Sequence, residues 1–435
     1  MECRAISRRS PHQPRYFDPV KSLVLVVVLA GCGFQSNASQ LAPIDGNDGT
    51  DAIAPATSDA AVSADASGPG RPDATMPPVP PDTQLCFGTG ILTVCLNALP
   101  TNPVNLAGSA TPFDTSVAAN CTQLIAQTGG PELCMIAGTT VTVSGPLTAI
   151  GTRPLVLLGT AQVTVTTSGT IDVSSRISPR RVGAGAGTGT CAASGRGTSD
   201  SGGGGGGAGG SFGSSGGNGG AGNTGEDAVA GGSVGAPQPV PAVMRGGCSG
   251  GVGGDGSGNA KSPGGAAGDG GGGVYLIAGS KITIAGNVFA SGAGGGATPT
   301  IAGREQGGGG GGTGGMIGLD APTIDITGRV VANGGAGGGG GALLGGSPGG
   351  DGTTTLLTAR APGGTADVLA GAGADGTAQG VTTNLDGASA QGAGGGGAGG
   401  LGHVLTFGSL QGTLFSPSPT KHEPHRAADL HTSDQ

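Results

Sequence analysis

Apolar and polar residues alternate in short stretches that recur from position 136 onward. One contains Thr140-Val141-Thr142-Val143-Ser144-Gly145-Pro146-Leu147, and a second runs Val163-Thr164-Val165 and on to Gly169-Thr170-Ile171-Asp172-Val173. Two more read Lys281-Ile282-Thr283-Ile284-Ala285-Gly286-Asn287-Val288 and Thr323-Ile324-Asp325-Ile326-Thr327-Gly328-Arg329-Val330. Each places a polar residue between two β-branched ones, breaks at or near glycine, and starts a second short strand. Period-two alternation of β-branched side chains predicts strands. Val143 and Val165 lie 22 residues apart, about one turn of a parallel β-helix, whose turns stack at about 4.8 Å. A weaker unit, Leu401-Gly402-His403-Val404-Leu405-Thr406-Phe407 with Leu410, Leu414 and Phe415, closes the series. The pattern predicts a mostly β chain whose residues 136–415 form a short right-handed parallel β-helix (solenoid). Ile284 and Ile326 should share one inward apolar column, while Asp172 and Asp325, each between two apolar neighbours, should point out to solvent.

Long glycine-rich insertions, at about 176–272, 292–315 and 334–398, separate these units. They enter at one phase, after the second strand, and insertions that share a phase emerge on one face of a solenoid. Glycine supplies 101 of 435 residues and charged residues 11%, against about 7% and about 25% in ordinary domains. So few large side chains cannot fill one thick core, which favours a thin, repeated one. No three-residue collagen period is kept. Tracts such as Gly216-Gly217-Asn218-Gly219-Gly220 read equally well as flexible linker. In texture, residues 182–400 resemble the Gly-Gly-x tracts of mycobacterial PE-PGRS proteins and glycine-rich adhesins. That resemblance implies packed polyproline-II-like strands.

The N-terminus carries a different pattern. Arg4, Arg8, Arg9, Arg15 and Lys21 precede an apolar run, Leu23-Val24-Leu25-Val26-Val27-Val28, and then Leu29-Ala30-Gly31-Cys32. A cationic head, a short apolar run and small residues make an export signal, and the run falls short of the ~20 residues that span a bilayer. Leu-Ala-Gly-Cys resembles the lipobox of bacterial lipoproteins. The resemblance implies a signal peptide over 1–31, a lipid on Cys32, and a membrane partner through that anchor. Gly33 after the cysteine is compatible with sorting to the outer membrane, where the chain would be exposed. Residues 32–83, rich in Asp, Ala and Pro (Asp45, Asp48, Asp51, Asp59, Asp65, Asp73), form an acidic tether expected to be disordered. The whole layout is similar to glycine-rich, disulfide-bearing lipoproteins of myxobacteria.

Six cysteines follow the anchor, and an even count in an exported chain predicts disulfides. Their spacing favours Cys86–Cys95, Cys121–Cys134 and Cys191–Cys248, worth roughly 2–4 kcal/mol each by chain entropy. Residues 84–135 read as a cap stapled by the first two, with modest helix or turn around Cys121–Ala126. Zinc is the competing use of the thiols, but no Cys-x-x-Cys occurs and no His lies near them.

Candidate chemistry is sparse. The formal charge is −8; residues 1–31 hold five basic and two acidic groups, so the remainder carries −11. That balance argues against nucleic acid as a partner. The stretch Gly254–Ser262 lacks the glycine a phosphate loop needs before its lysine, since Ala260 precedes Lys261. Gly250–Asp255 fits the first six positions of a calcium nonapeptide, but Ser257 replaces the inward aliphatic residue and no tandem copies follow. Asp269, Asp351 and Asp375 add little to that reading. Asp172, Asp320 and Asp325, with Arg329, are the carboxylates and partner from which an acid–base pair could come. His403 is the one histidine in the repeats; His422, His425 and His431, with Glu423, fall in a tail over 416–435 expected to be disordered. No catalytic residue, metal site or cofactor is assigned. The expected role is structural or adhesive, with glycan or extracellular matrix as partner. The alternative is a carbohydrate-active enzyme or carbohydrate-binding module on the same scaffold.

Overall fold

The computed structural model describes residues 85–422 apart from 226, 257–262, 299–304 and 356. The expected signal peptide, Cys32 and the tether lie outside the described residues, as do Glu423, His425 and His431. The described chain is mostly β, with a single 3-10 turn at Ala118–Asn120 and no α-helix among the described residues. None of its described segments is a helix long and apolar enough to cross a membrane.

Its strands are β1 (Leu85–Phe87), β2 (Val94–Leu96), β3 (Val104–Leu106), β4 (Phe113–Asp114), β5 (Gln123–Ile125), β6 (Leu133–Val143), β7 (Pro146–Ile150), β8 (Leu155–Val165) and β9 (Thr170–Asp172). They continue as β10 (Gly273–Ala278), β11 (Lys281–Ile284), β12 (Asn287–Phe289), β13 (Met316–Ile326), β14 (Arg329–Val331), β15 (His403–Gln411), β16 (Phe415–Ser416) and β17 (Thr420–His422). Strands β3, β6, β8, β10, β13, β15 and β17 neighbour one another in that order in one parallel sheet, and β11 continues the row of β10. A second parallel sheet takes β4, β7, β9, β12, β14 and β16, also in chain order. From β6 onward the chain alternates between the two.

Register explains the alternation in the sequence. Val143, Val165, Ile284 and Ile326 are partners in successive strands, as are Val141, Val163, Ile282 and Ile324. All eight are buried in one cluster with Leu147, Ile171, Val288 and Val330 of the second sheet. These half-strands face the core on one side only, so polar residues occupy the intervening positions. The first halves of the same strands read differently: Leu155-Val156-Leu157-Leu158 and Val274-Tyr275-Leu276-Ile277 are apolar throughout. There the sheet is covered on both faces, which removes any reason to alternate. Leu155 and Leu157 belong to the core between the sheets, whereas Val156 and Leu158 belong to a second cluster on the outer face.

The stretch expected to form the cap divides between two places. The β1–β2 hairpin does not close an end; Leu92, Val94 and Leu96 pack against Leu158, Tyr275, Ile277 and Phe407 on the face of the first sheet. The short β3 and β4 instead add a further pair of parallel strands before β6 and β7. Around Cys121, where helix or turn was expected, the 3-10 turn Ala118–Asn120 leads into β5, antiparallel to β6. The tail also begins later than expected, because β16 and β17 extend both sheets through His422.

The glycine-rich insertions leave after β9, β12 and β14 and return at β10, β13 and β15. They are ordered by backbone hydrogen bonds with a period of three. The N–H groups of Gly204, Gly207 and Gly210 go to the carbonyls of Glu305, Gly308 and Gly311; those of Gly205 and Ala208 go to Thr198 and Gly195; those of Gly206 and Gly209 go to Gly220 and Gly217. Residues 307–315 and 394–402 repeat the pattern, each serving three neighbours in rotation. Three residues per turn is the period of polyproline II, which makes no internal hydrogen bonds and leaves every N–H for a neighbour. Three parallel segments close a ring: Gly207 donates to Gly308 at 2.9 Å, Gly308 to Gly394 at 3.0 Å and Gly394 to Gly204 at 2.9 Å. Spacing at most lattice glycines admits no side chain, although Ala208, Ala293, Ala336 and Thr313 are buried among them. A Cβ on Gly310 would stand 1.9 Å from the carbonyl oxygen of Ala208.

Candidate binding cleft

A concavity of about 840 Å³ opens on the outer face of the first sheet. Its construction starts with the β1–β2 hairpin, where Cys86 and Cys95 oppose each other and are joined at 2.03 Å. Gly88, at φ +94°, turns the chain so that residues 88–90 reach the sheet. There the Thr89 and Gly90 N–H groups each donate to Asp320 at 2.8 Å, and the Thr89 hydroxyl bonds it at 3.0 Å. The Tyr275 hydroxyl donates a fourth bond at 3.2 Å. Burial, and then the adjacent Asp320 carboxylate, push the Tyr275 phenol well above its ordinary range. Gly318 makes room for the Tyr275 ring, since a Cβ there would meet it at 2.1 Å.

Asp320 therefore lies on the outward side of β13, opposite in phase to the core residue Leu319, yet is only 2% exposed. Its lone pairs serve to pin the hairpin across the sheet. Above it the cleft is walled by Phe87, Ala321, Pro322 and Phe407, with Lys421 and His422 of β17 at one side. The His422 imidazole stacks on Phe407 with ring centres 5.0 Å apart and planes 16° from parallel, and Tyr275 lies 6.4 Å from Phe407 on centroids. Apolar walls with a few polar groups are the usual make-up of a ligand site. Sequence reasoning missed Phe87, Phe407, Lys421 and His422 as a group. The signal available was the outward phase of Phe407 in β15; nothing in the Pro-Ser-Pro-Thr stretch announced that β17 would follow.

The other residues considered from sequence are scattered. Asp172, expected to be solvated, is 8% exposed. Its carboxylate accepts from Arg181 at 2.6 Å and Arg176 at 3.4 Å, because the chain after β9 folds those arginines back over it. Asp325 does lie on the accessible side, 3.5 Å from Lys281 of the neighbouring strand, and Arg329 is exposed. Asp255 of the calcium-like stretch meets Arg196 at 2.7 Å, and Asp269 meets Arg180 at 3.2 Å. Asp351 accepts from the Ile177 and Gly294 N–H groups, and Asp375 from that of Gly363. Among the described residues no group of three His, Cys, Asp or Glu is placed to hold a metal ion.

The remaining disulfides join Cys121 to Cys134 and Cys191 to Cys248. Beside the last of these sits a buried cluster unforeseen from sequence. His403 packs edge-on against Phe212 at 4.7 Å, and the Arg245 guanidinium lies 5.0 Å over the same ring. Burial, aided by the Arg245 charge and opposed by the Gln238 carbonyl, pushes His403 down to about 4. Its Nε2 finds no hydrogen-bond partner. No protein-family model, no curated protein and no solved structure matches the chain.

Proposed function

We propose that the protein is an exported, lipid-anchored component of the cell envelope with a structural or adhesive role. In this reading Cys32 carries the lipid, residues 33–83 form the tether, and the alternating parallel sheets are the turns of a short right-handed parallel β-helix. The observation that supports it best is the glycine lattice. Much of each glycine-rich insertion is spent on backbone packing with little room for side chains, which suits a scaffold better than a catalyst. Cys32→Ser should release the protein from membranes into the soluble fraction. Unchanged membrane fractionation of that variant would remove the anchor from the proposal.

The cleft supports a second reading, carbohydrate binding. Phe87 and the Phe407–His422 stack gather aromatic rings that composition alone made scarce, beside the polar groups of Lys421 and Ser409. The released Cys32→Ser protein, applied to arrays of glycans and of matrix proteins, separates the two readings. Glycan binding lost on His422→Ala would locate the site in the cleft. Binding to matrix proteins that survives His422→Ala would favour the scaffold surface instead.

A further inference from the structure

Arg245 is 4% exposed, and its N–H groups meet no carboxylate among the described residues. Nε donates to the Gly246 carbonyl, and Nη1 to the Thr190 carbonyl and the Gln238 side chain. Nη2 points at the disulfide, 2.9 Å from Cys191 Sγ and 3.3 Å from Cys248 Sγ. A buried cation with neutral partners alone is costly, and a thiolate at either sulfur would supply the missing counter-charge. The two sulfurs are not equivalent. Cys248 is fully buried, while Cys191 is an exposed residue that an outside thiol can approach. Cys121–Cys134 provides an internal contrast: Cys134 is buried, Cys121 is half-buried, and the polar neighbour of Cys121 Sγ is the Val117 carbonyl at 3.7 Å.

We propose that Cys191 is a site of modification by small thiols, of the class of cysteine or glutathione. The incoming thiolate sulfur forms a bond to Cys191 Sγ, the Cys191–Cys248 bond breaks, and its electron pair stays on Cys248 Sγ. One disulfide is exchanged for another, with no further oxidant or reductant. Thiol–disulfide exchange is faster when the leaving thiol is more acidic, and a guanidinium in contact lowers a thiol's pKa. Arg245 touches both sulfurs, so the exposure of Cys191 decides which sulfur is attacked, and the guanidinium stabilises the Cys248 thiolate that leaves. The intervening segment keeps its place after opening, because Gly195, Gly206 and Gly219 remain bonded to Ser233, Gly220 and Gly232.

The full exported chain, treated under native conditions with graded reduced glutathione, then alkylated and mapped by mass, tests this. Glutathione should appear on Cys191 and the alkyl group on Cys248, at thiol concentrations about tenfold below those that open Cys121–Cys134. Arg245→Gln should abolish that advantage and Arg245→Lys should keep most of it. The proposal is overturned by glutathione on Cys248, by opening no earlier than Cys121–Cys134, or by an unchanged threshold in a folded Arg245→Gln protein. Should Arg245→Gln not fold, the two readings on the wild-type chain decide by themselves.

Discussion

The two halves of this molecule solve the same packing problem with opposite means. In the parallel sheets, cohesion comes from side chains: Val165, Ile284 and Ile326 stack in register and the backbone is held apart at sheet spacing. In the glycine lattice, cohesion comes from the backbone, which approaches so closely that most positions leave no space for a side chain. The two meet without a seam. Gly402 donates to Ala332 within the lattice, and the next residue, His403, donates to Gly315 as the first residue of β15. A hydrogen-bonded array can therefore pass from one regime to the other within one residue. What changes is where the chain finds neighbours: on two sides in a sheet, and in three directions in the lattice.

Four changes probe that contrast. Ile326→Asp should have the largest effect, more than about 4 kcal/mol, because it removes a buried aliphatic group and places an unpaired charge in the core. Loss of the sheet signal in circular dichroism at 25 °C would register it. Next comes acid at the junction. An ordinary histidine titrates near 6.5, while His403 is held down to about 4. Below pH 6.5 the unfolded chain takes up a proton that the folded chain refuses. Stability present at neutral pH should fall as the pH drops from about 6.5 to about 4, by up to about 3 kcal/mol, and this contribution then levels off. Urea titrations of wild type and His403→Gln, run in parallel, isolate it from the carboxylates; identical pH slopes would remove His403 from the account.

Gly310→Ala is the probe for the lattice, with an expected cost of about 1–3 kcal/mol from overpacking. The cost should appear as faster hydrogen exchange at Gly207, Gly251 and Gly311 before any in the sheets. Exchange that accelerates everywhere alike would mean that the two regimes unfold as one. Asp325→Ala, one residue from Ile326 but on the accessible side, should cost under about 0.5 kcal/mol. A melting temperature for Asp325→Ala as low as that of Ile326→Asp would refute the inward and outward assignment.

The same contrast explains what could be read beforehand. Strands with one covered face announce themselves, because Ile282-Thr283-Ile284 needs an apolar residue at every second position and nowhere else. Strands covered on both faces were less legible. Leu155–Leu158 shows that something lies above the sheet, but not that the β1–β2 hairpin comes from about 60 residues earlier to cover it. For the same reason nothing in the sequence shows that Asp320, outward in phase, is buried. In the lattice the period of three resides in the direction of each N–H; the Gly-Gly-x texture hints at it, but a run such as 202–207 does not show which neighbour each N–H meets. The cleft depends on both illegible features, a hairpin laid across a face and a strand in a proline-containing tail.

A lattice held by peptide groups has a calorimetric consequence. Exposing apolar surface raises the heat capacity on melting, and exposing polar surface lowers it. The glycine segments bury amides and almost no hydrocarbon, so they should contribute well below the usual increment of about 12–15 cal/mol/K per residue. A small increment flattens the curve of stability against temperature. Cooling weakens hydrophobic cohesion, and the stacked valines and isoleucines are subject to that loss. The glycine segments, lacking its source, should hold their structure across a wider range of temperature than the sheets to which they are joined.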